Sequence, residues 1–352
     1  MAFRWRFNPR RVGAAAGVGF GLLVGFASLD WYWTGRQLDA GLRDWAERGK
    51  IAGWSFTYAR ATHGGWPLAA TLTLSDVELK ATHGSLPVDL TWNADRVILQ
   101  VKLTAPSTLG LETQGIQRLR LWDWQEILFT AERLTAYLPL GIDPGGAYGI
   151  EAANLRAAIP LDQDRSGTLS MAAISAELGI ATAGTGSARV SITAEKIGLP
   201  PQFRWPLGPD IANFALESAL DGPMPPLRDL ASAAAAWRDG GGSMEVQKLA
   251  LTWGPLNVQG TATLALDEQL QPMGAGSGKL IGYMATLDAL SGNGVLSRSA
   301  VTAAKAVLAL LADAPAEGEQ PEVEVPVTLQ YRTLSMRQIP LLRLPELDWP
   351  GQ

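Results

Sequence analysis

Residues 68–79 read Leu-Ala-Ala-Thr-Leu-Thr-Leu-Ser-Asp-Val-Glu-Leu. Every second position from 68 to 74 is apolar, with alanine or threonine between, which is the period of a β-strand with one buried face. The alternation shifts by one residue at Ser75-Asp76 and resumes at Val77. A shift of one residue inside an alternating run predicts a β-bulge. This stretch therefore predicts a long strand with a local irregularity.

Comparable runs flank this stretch on both sides. Trp54, Phe56 and Tyr58 alternate before it, and Gly64-Gly65-Trp66-Pro67 supplies a turn between the two runs. Two further runs follow: Leu86, Val88, Leu90 and Trp92, then Val97, Leu99, Val101 and Leu103. Connections of a few residues join antiparallel neighbours. The fold class predicted is mostly β with packed helices (α+β), built on a large curved antiparallel sheet with an N-terminal single-pass membrane helix.

The patterning divides the chain of 352 residues into five segments. They are a cytoplasmic basic segment (1–11), a transmembrane anchor (12–33), a juxtamembrane amphipathic helix (34–50), an antiparallel sheet region (51–200), and an α/β continuation of the sheet (201–352) with helices near 227–238 and 299–312. The juxtamembrane helix has two interpretations: it lies on the membrane surface, or it packs on the folded domain. Its mixed charge favours the second, because surface-bound helices are typically basic.

The anchor prediction depends on an uncharged run, residues 12–29, preceded by Arg4, Arg6, Arg10 and Arg11. Eighteen helical residues span about 27 Å, close to the hydrocarbon thickness of a bilayer. The positive-inside rule puts the arginines in the cytoplasm and the remaining chain in the periplasm, on a single pass of the inner membrane. The residues assigned to the anchor are Val12, Gly13, Gly17, Gly21, Gly25, Leu29, Trp31 and Trp33.

Two alternatives accompany the anchor. Gly25-Phe26-Ala27 is an acceptable cleavage site for a signal peptide, whereas Trp31-Tyr32-Trp33 favours retention because Trp and Tyr hold helices at the membrane interface. The four glycines at four-residue spacing resemble a stripe on which two helices pack, which would give a homodimer. The alternative is a segment that is merely rich in small residues.

Composition argues against several classes of function. The net charge is −5, without a basic patch, so nucleic-acid binding is not expected. The chain has no cysteine and only two histidines, His63 and His83, which the predicted hairpins hold apart. No phosphate-binding loop, Rossmann fingerprint or nucleophile elbow is present. We therefore expect no metal, no cofactor and no enzymatic activity.

The sheet itself carries the functional prediction. Few helices are available to cover its long apolar rows, so an apolar face either closes on itself or remains as a groove. The candidate apolar surface consists of Leu68, Leu72, Leu74, Leu90 and Trp92. A groove beside a membrane predicts binding of lipid or another hydrophobic ligand. A sealed core instead predicts an envelope scaffold or assembly factor that acts through protein–protein contacts.

Several short motifs also carry a family resemblance. They are Gly65-Trp66-Pro67-Leu68, Trp237-Arg238-Asp239-Gly240-Gly241, Leu249-Ala250-Leu251-Thr252-Trp253-Gly254-Pro255-Leu256, Leu270-Gln271-Pro272 and Ile339-Pro340-Leu341-Leu342. With them the chain resembles the bacterial domain-of-unknown-function family numbered twenty-one twenty-five. The resemblance implies an inner-membrane protein of Gram-negative envelopes that faces the periplasm, and it brings no catalytic residues. The architecture is also similar to AsmA-like envelope proteins, whose elongated sheets are associated with lipid transport or outer-membrane assembly.

Overall fold

The structure, a computed structural model, describes residues 9–81, 89–121, 125–141, 146–161, 165–181, 187–223, 230–311, 321–336 and 339–349. Strands predominate among them. The four described helices are α1 (Pro9–Ala52), α2 (Leu230–Asp239), α3 (Tyr283–Gly292) and α4 (Arg298–Leu311). The strands are β1 (Trp54–Thr57), β2 (Arg60–Gly64), β3 (Ala69–Ala81), β4 (Leu90–Lys102), β5 (Ala105–Leu121), β6 (Ile127–Thr130), β7 (Arg133–Pro139), β8 (Gly146–Pro160), β9 (Ser166–Ile180), β10 (Ala188–Gly198), β11 (Asp210–Asp221), β12 (Ser243–Trp253), β13 (Leu256–Leu266), β14 (Pro272–Ile281), β15 (Glu322–Gln330), β16 (Thr333–Met336) and β17 (Ile339–Arg343).

All seventeen strands belong to one antiparallel sheet. Each strand pairs with the next along the chain, with two exceptions. β1 and β2 both pair with β3 in the same register, and β6 and β7 both lie between β5 and β8. The predicted meander is therefore confirmed, and it continues without interruption where β10 pairs with β11.

Helices α1, α3 and α4 lie on one side of this sheet, which we call the helix side. Leu72, Leu74 and Val77 on β3 form a core with β4, and Leu42 of α1 packs against it. Leu38 of α1 packs against Ala70 and Val101 in the same way. At the other end of the sheet, Val323 and Val325 of β15 pack with Tyr283 of α3 and Leu308 of α4. Two separate covered cores result, one near each end of the strand order.

The N-terminal helix differs from the prediction. Instead of an anchor followed by a distinct helix over 34–50, α1 is one continuous helix of 44 residues. Its C-terminal half packs on the domain, as Trp45 shows by its ring contacts with Trp54 and Phe56. Continuity follows from sequence, because no proline or pair of helix-breaking residues separates residues 29 and 35.

Among the residues whose placement the structure describes, no helix has both the length and the apolar character required to cross a membrane. Val12, Gly13, Gly17 and Gly21 belong to the part of α1 whose side chains lie outside the described residues. Gly25 is exposed and a Cβ there would meet nothing within 4 Å. The anchor and the homodimer through the glycine stripe stay predictions.

A line of irregular residues crosses the sheet, and we call it the crease. Asp76 on β3 has φ 53°, and its neighbours Ser75 and Val77 keep their pairing with β4. The irregularity continues through neighbouring strands, with positive φ on every second one. Its members are Asp76, Asp95, Gly115, Asn154 and Lys196. The predicted irregularity at Ser75-Asp76 is thus confirmed, as one part of a larger feature.

The other helix predictions hold with small changes in bounds. The helix predicted near 299–312 is α4, and the one predicted near 227–238 corresponds to α2, for which residues 224–229 lie outside the described residues. The two runs predicted after residue 85 form a single strand, β4, because the crease at Asp95 shifts the alternation without ending the strand. Leu86 and Val88 lie outside the described residues.

Candidate functional site

One row of side chains on the helix side crosses most of the sheet without a polar residue. The strand registers place its members directly opposite one another. From β3 to β15 they are Leu72, Leu99, Leu111, Ala136, Ile150, Ala176, Ile192, Leu216, Leu249, Gly260, Gly278 and Val325. Directly opposed residues in an antiparallel pair contact each other. The row is therefore a continuous apolar band.

The two ends of this row are covered and its middle is open. Leu72 and Val325 are buried in the two cores beneath α1 and α4. Between them Ile150 is 47% exposed, and Ala176 and Ile192 are only partly buried. In the part of the chain that the structure describes, no helix packs extensively on β8, β9, β10 or β11. We call the helix side of these four strands the open face.

The neighbouring rows on the open face have the same apolar character. One consists of Ala152, Ile174, Ala194 and Phe214, and the other of Tyr148, Leu178, Val190 and Ser218. Ser218 is the exception in composition, and its buried hydroxyl has no hydrogen-bond partner among the described residues. Burial of an unpaired hydroxyl costs free energy.

The opposite side of the same strands is polar. Glu151, Ser175 and Thr193 occupy one of its rows, and Glu177 and Glu217 flank Ser191 in the next. Tyr137 of β7 lies across Gly149, where a Cβ would overlap its ring, and donates a hydrogen bond of 2.7 Å to Glu177. This bond and the burial of the hydroxyl raise the pKa of Tyr137 to about 12. The contrast between the sides identifies the apolar one as unusual, because a sheet side that faces water is ordinarily polar.

The residues predicted to form the apolar surface lie elsewhere. Leu72 and Leu74 are fully buried in the first core, so their predicted position on an open surface is wrong. The reason is that α1 packs on β3 through Leu38 and Leu42. Leu68 is exposed, but it belongs to the turn before β3.

Leu90 and Trp92 lie on the helix side of β4, beyond the crease, and both are partly buried. Trp92 donates a hydrogen bond of 3.2 Å to Gln117, which in turn donates one of 2.7 Å to Thr113. These polar groups are satisfied by one another within the first core. Both residues therefore lie beside the first core, whereas the open face begins at β8, several strands further along the sheet.

A cleft separate from the open face lies between α1 and the β2–β3 hairpin. It is a cleft of about 370 Å³. It is lined by Trp31, Tyr32, Gly35, Arg36, Asp39, His63, Gly64, Ala70 and Thr71. Arg36 stacks on the ring of Tyr32 at 4.9 Å, and Asp39 is paired with Arg43 at 2.6 Å. With both signs of charge present and mostly paired, the cleft has no strong preference for a charged ligand.

Groups suited to metal binding or catalysis are few in the described residues. No set of three or more His, Asp or Glu side chains there could hold a metal ion. His63 is an exposed residue of β2, opposite Leu72, and His83 lies outside the described residues. The open face is therefore the feature with the clearest capacity to bind something, and what it offers is apolar area.

A comparison with protein families identifies residues 31–345 as matching DUF2125, described as an uncharacterized protein conserved in bacteria. The chain belongs to the DUF2125 family. The match covers all of the sheet and the C-terminal half of α1, so the family resemblance found in the short motifs is confirmed. A comparison with curated proteins gives no match.

Two of the motifs that carry the DUF2125 resemblance acquire structural roles. Gln271 of Leu270-Gln271-Pro272 donates to the carbonyl of Leu347 at 3.1 Å and accepts from its N–H at 2.8 Å. Trp253 donates from its indole to the carbonyl of Gly208 at 2.7 Å. These motif residues fasten connecting segments to the sheet. Sequence reasoning missed the open face of this DUF2125 chain because its strands are rich in alanine and alternate less clearly than β3.

Proposed function

We propose that this protein is anchored in the inner membrane by the N-terminal part of α1 and binds an acyl chain or another hydrophobic ligand on the open face, in the periplasm. The observation that supports ligand binding is the uncovered middle of an apolar row whose two ends are covered by helices. Exposed apolar patches of this extent in proteins ordinarily serve as binding surfaces. The proposal includes no catalytic step.

The dimensions of the open face support an acyl chain. Strands lie about 4.8 Å apart, so the apolar row across the open face, from Ile150 on β8 to Leu216 on β11, is about 14 Å long, and the row continues beyond it on both sides. One extended acyl chain reaches about half of the 30 Å hydrocarbon core of a bilayer. A chain laid along the row therefore finds apolar contacts for its whole length. Burial of apolar area contributes roughly 25 cal/mol per Å².

The membrane part of the proposal is supported by the sequence alone. The apolar run 12–29 and the preceding arginines favour a retained anchor with the domain in the periplasm. The similarity in architecture to AsmA-like proteins points in the same direction, toward lipid handling in the envelope. It is an analogy of form and adds nothing about which lipid is bound.

A second candidate function is favoured by the edges of the sheet. β1 and β2 pair only with β3, and β17 pairs only with β16, within the described residues. Unpaired strand edges can accept a strand from another protein. Such a chain would act as an envelope scaffold or assembly factor, without any ligand on the open face.

Photo-crosslinking separates the two candidates. The full-length protein in detergent micelles is incubated with a fatty acid that carries a diazirine, and the labelled peptides are mapped by mass spectrometry. Label in peptides from β8 to β11 is expected. Label in peptides from residues 9–33 is counted separately, because any apolar helix collects it and it serves as an internal reference.

Two adjacent variants provide the matched control. Ile192→Glu puts a carboxylate on the open face, whereas Thr193→Glu puts one on the polar side of the same strand. The first should lose the β8–β11 label and the second should keep it, with equal melting temperatures for both. Label confined to the N-terminal peptides, or equal loss in both variants, would contradict ligand binding and leave the scaffold function as the better proposal.

A further inference from the structure

The exposed stripe of α1 is apolar where the helix first meets the sheet. Leu29 is 71% exposed and Trp33 is 65% exposed, and Tyr32 beside them is also exposed. Their spacing of three and four residues puts them on one face of the helix. A helix that packs on a domain ordinarily has polar residues on its outer face, whereas the outer face of α1 is apolar at these positions.

The opposite stripe of the same turns is already packed on the domain. The Trp31 indole donates a hydrogen bond of 2.9 Å to the carbonyl of Gly64. One and two turns further along, Gly35 and Leu38 are buried. Near residue 30 the helix therefore carries large apolar side chains on both of these stripes, with the partly buried Asp30 between them. From about residue 36 it becomes amphipathic, since Arg36, Gln37 and then Asp44 are exposed on its outer face. Apolar side chains on the outer stripe as well as the packed one indicate contact with an apolar medium.

The turns at the ends of β2, β3 and β4 place further exposed apolar side chains beside this part of α1. Leu68, in the turn before β3, is 77% exposed. Trp66 and Leu103 are exposed as well. Trp66 donates from its indole to the Ser28 hydroxyl at 3.1 Å, and the Leu103 N–H donates to the Leu68 carbonyl at 3.2 Å. The two turns and the helix are thus joined into one patch.

We propose that this patch, which we call the collar, is a membrane-contact surface that seats the domain on the lipid bilayer at the level of the headgroups. The collar consists of Leu29, Tyr32, Trp33, Trp66, Leu68 and Leu103. Trp and Tyr prefer the membrane interface because one end of each ring is apolar and the other is a hydrogen-bond donor. The inference rests on the proposed anchor, since the collar continues directly from the apolar run 12–29 along the same helix.

The collar also fixes how the domain is oriented. The indole bonds of Trp31 and Trp66 tie α1 to the β2–β3 hairpin at two points. The strand ends at the start of β3 and the end of β4 therefore lie nearest the bilayer. β3 has 13 residues, so its other end lies about 43 Å away. The strands, and the open face with them, project away from the membrane.

The absence of cysteine from the chain makes a site-specific test possible. Leu68→Cys and Val295→Cys are each labelled with the environment-sensitive fluorophore NBD in the full-length protein. Val295 is 56% exposed in the loop between α3 and α4, which follows the far end of β14. Both proteins are reconstituted into vesicles of phosphatidylcholine and phosphatidylglycerol, with or without a lipid that carries a nitroxide on its headgroup.

The label at position 68 should emit at shorter wavelength and lose fluorescence with the nitroxide lipid, whereas the label at 295 should do neither. Co-flotation of the protein with the vesicles tests separately whether the anchor holds the protein in the membrane. Protein that floats while position 68 stays unquenched overturns the collar and leaves the anchor intact, whereas protein that does not float overturns the anchor itself. If Leu68→Cys fails to fold, Leu103→Cys takes its place, with the same expected quenching.

Discussion

At the scale of single residues, the polar side of the open strands contains a contact that spans three strands. Tyr137 on β7 reaches Glu177 on β9 by crossing Gly149 on β8. The bridging glycine is necessary, because a Cβ at position 149 would overlap the tyrosine ring. An aromatic side chain that covers a glycine in a neighbouring strand protects the sheet there. The pKa of Tyr137 reports on whether this contact is formed.

Glu177→Gln should lower the pKa of Tyr137 from about 12 toward its ordinary value of 10.0, because the carboxylate is the first cause of the shift. The folded-state pKa is raised, so the contact contributes stability that is complete below the unfolded pKa and is lost as the pH rises through the folded one. Tyrosinate absorbance, measured as a difference against Tyr137→Phe, follows the titration. Glu217→Gln is the control, since Glu217 pairs with Lys248 instead. An unchanged titration in Glu177→Gln would contradict the contact.

Sequence could not predict this contact. Tyr137 and Glu177 are forty positions apart and meet only after two registers are set. A register fixes which residues face each other, and a shift by one residue sends every side chain to the other face. The same limit explains why Leu72 and Leu74 were predictable as apolar and strand-forming, whereas their burial beneath α1 was not.

At the scale of elements, the crease links irregularities that look unrelated in the sequence. At its best-defined point the Asp95 carboxylate accepts a hydrogen bond of 2.7 Å from the Ile116 N–H, next to Gly115 at φ 86°. Bulges bend strands and increase their twist, so we expect the sheet to curve along this line. The irregularity at Asp76 was predictable because β3 alternates clearly on both sides of it. Those at Asn154 and Lys196 were not, because alanines obscure the period of their strands.

Gly115→Ala should destabilise the fold by about 1–2 kcal/mol, the usual cost of a left-handed conformation for a residue other than glycine. The added Cβ would also overlap Asp95 and disturb its bond to Ile116. Thermal unfolding followed by circular dichroism measures the loss. Gly110→Ala on the same strand is the control, because its φ is not positive and its nearest neighbour is the flexible side chain of Gln100, at 3.0 Å. Equal melting temperatures for the two variants would show that the crease carries no such strain.

At the scale of the whole molecule, almost all contacts between elements join strands or helices that are adjacent or nearly adjacent in chain order. The meander joins each strand to the next. In the strand order one core lies before the open face and the other lies after it, and both are on the helix side. Proteins whose units contact only adjacent units behave nearly one-dimensionally, so that a local defect stays local. The order of strands was predictable from the short connections. The position of the open face was not predictable, because it depends on which strands α1 and the α3–α4 pair cover.

This arrangement predicts that the two cores lose stability independently. Leu74→Ala leaves a cavity in the first core, at a cost of about 2–5 kcal/mol, and Val323→Ala makes a smaller one in the second. Hydrogen exchange read by mass spectrometry should show faster exchange in β1–β5 for Leu74→Ala, with little change in β13–β16. Val323→Ala should give the reverse pattern, so each variant is the control of the other. In the described part of the chain no helix packs extensively on the open strands between the two cores. A change in packing can therefore pass between the cores only through backbone hydrogen bonds and cross-strand side-chain pairs. Uniform acceleration of exchange over the whole sheet in either variant would mean that it unfolds as one cooperative unit, and the open face would then have to be rigid enough to couple the two cores.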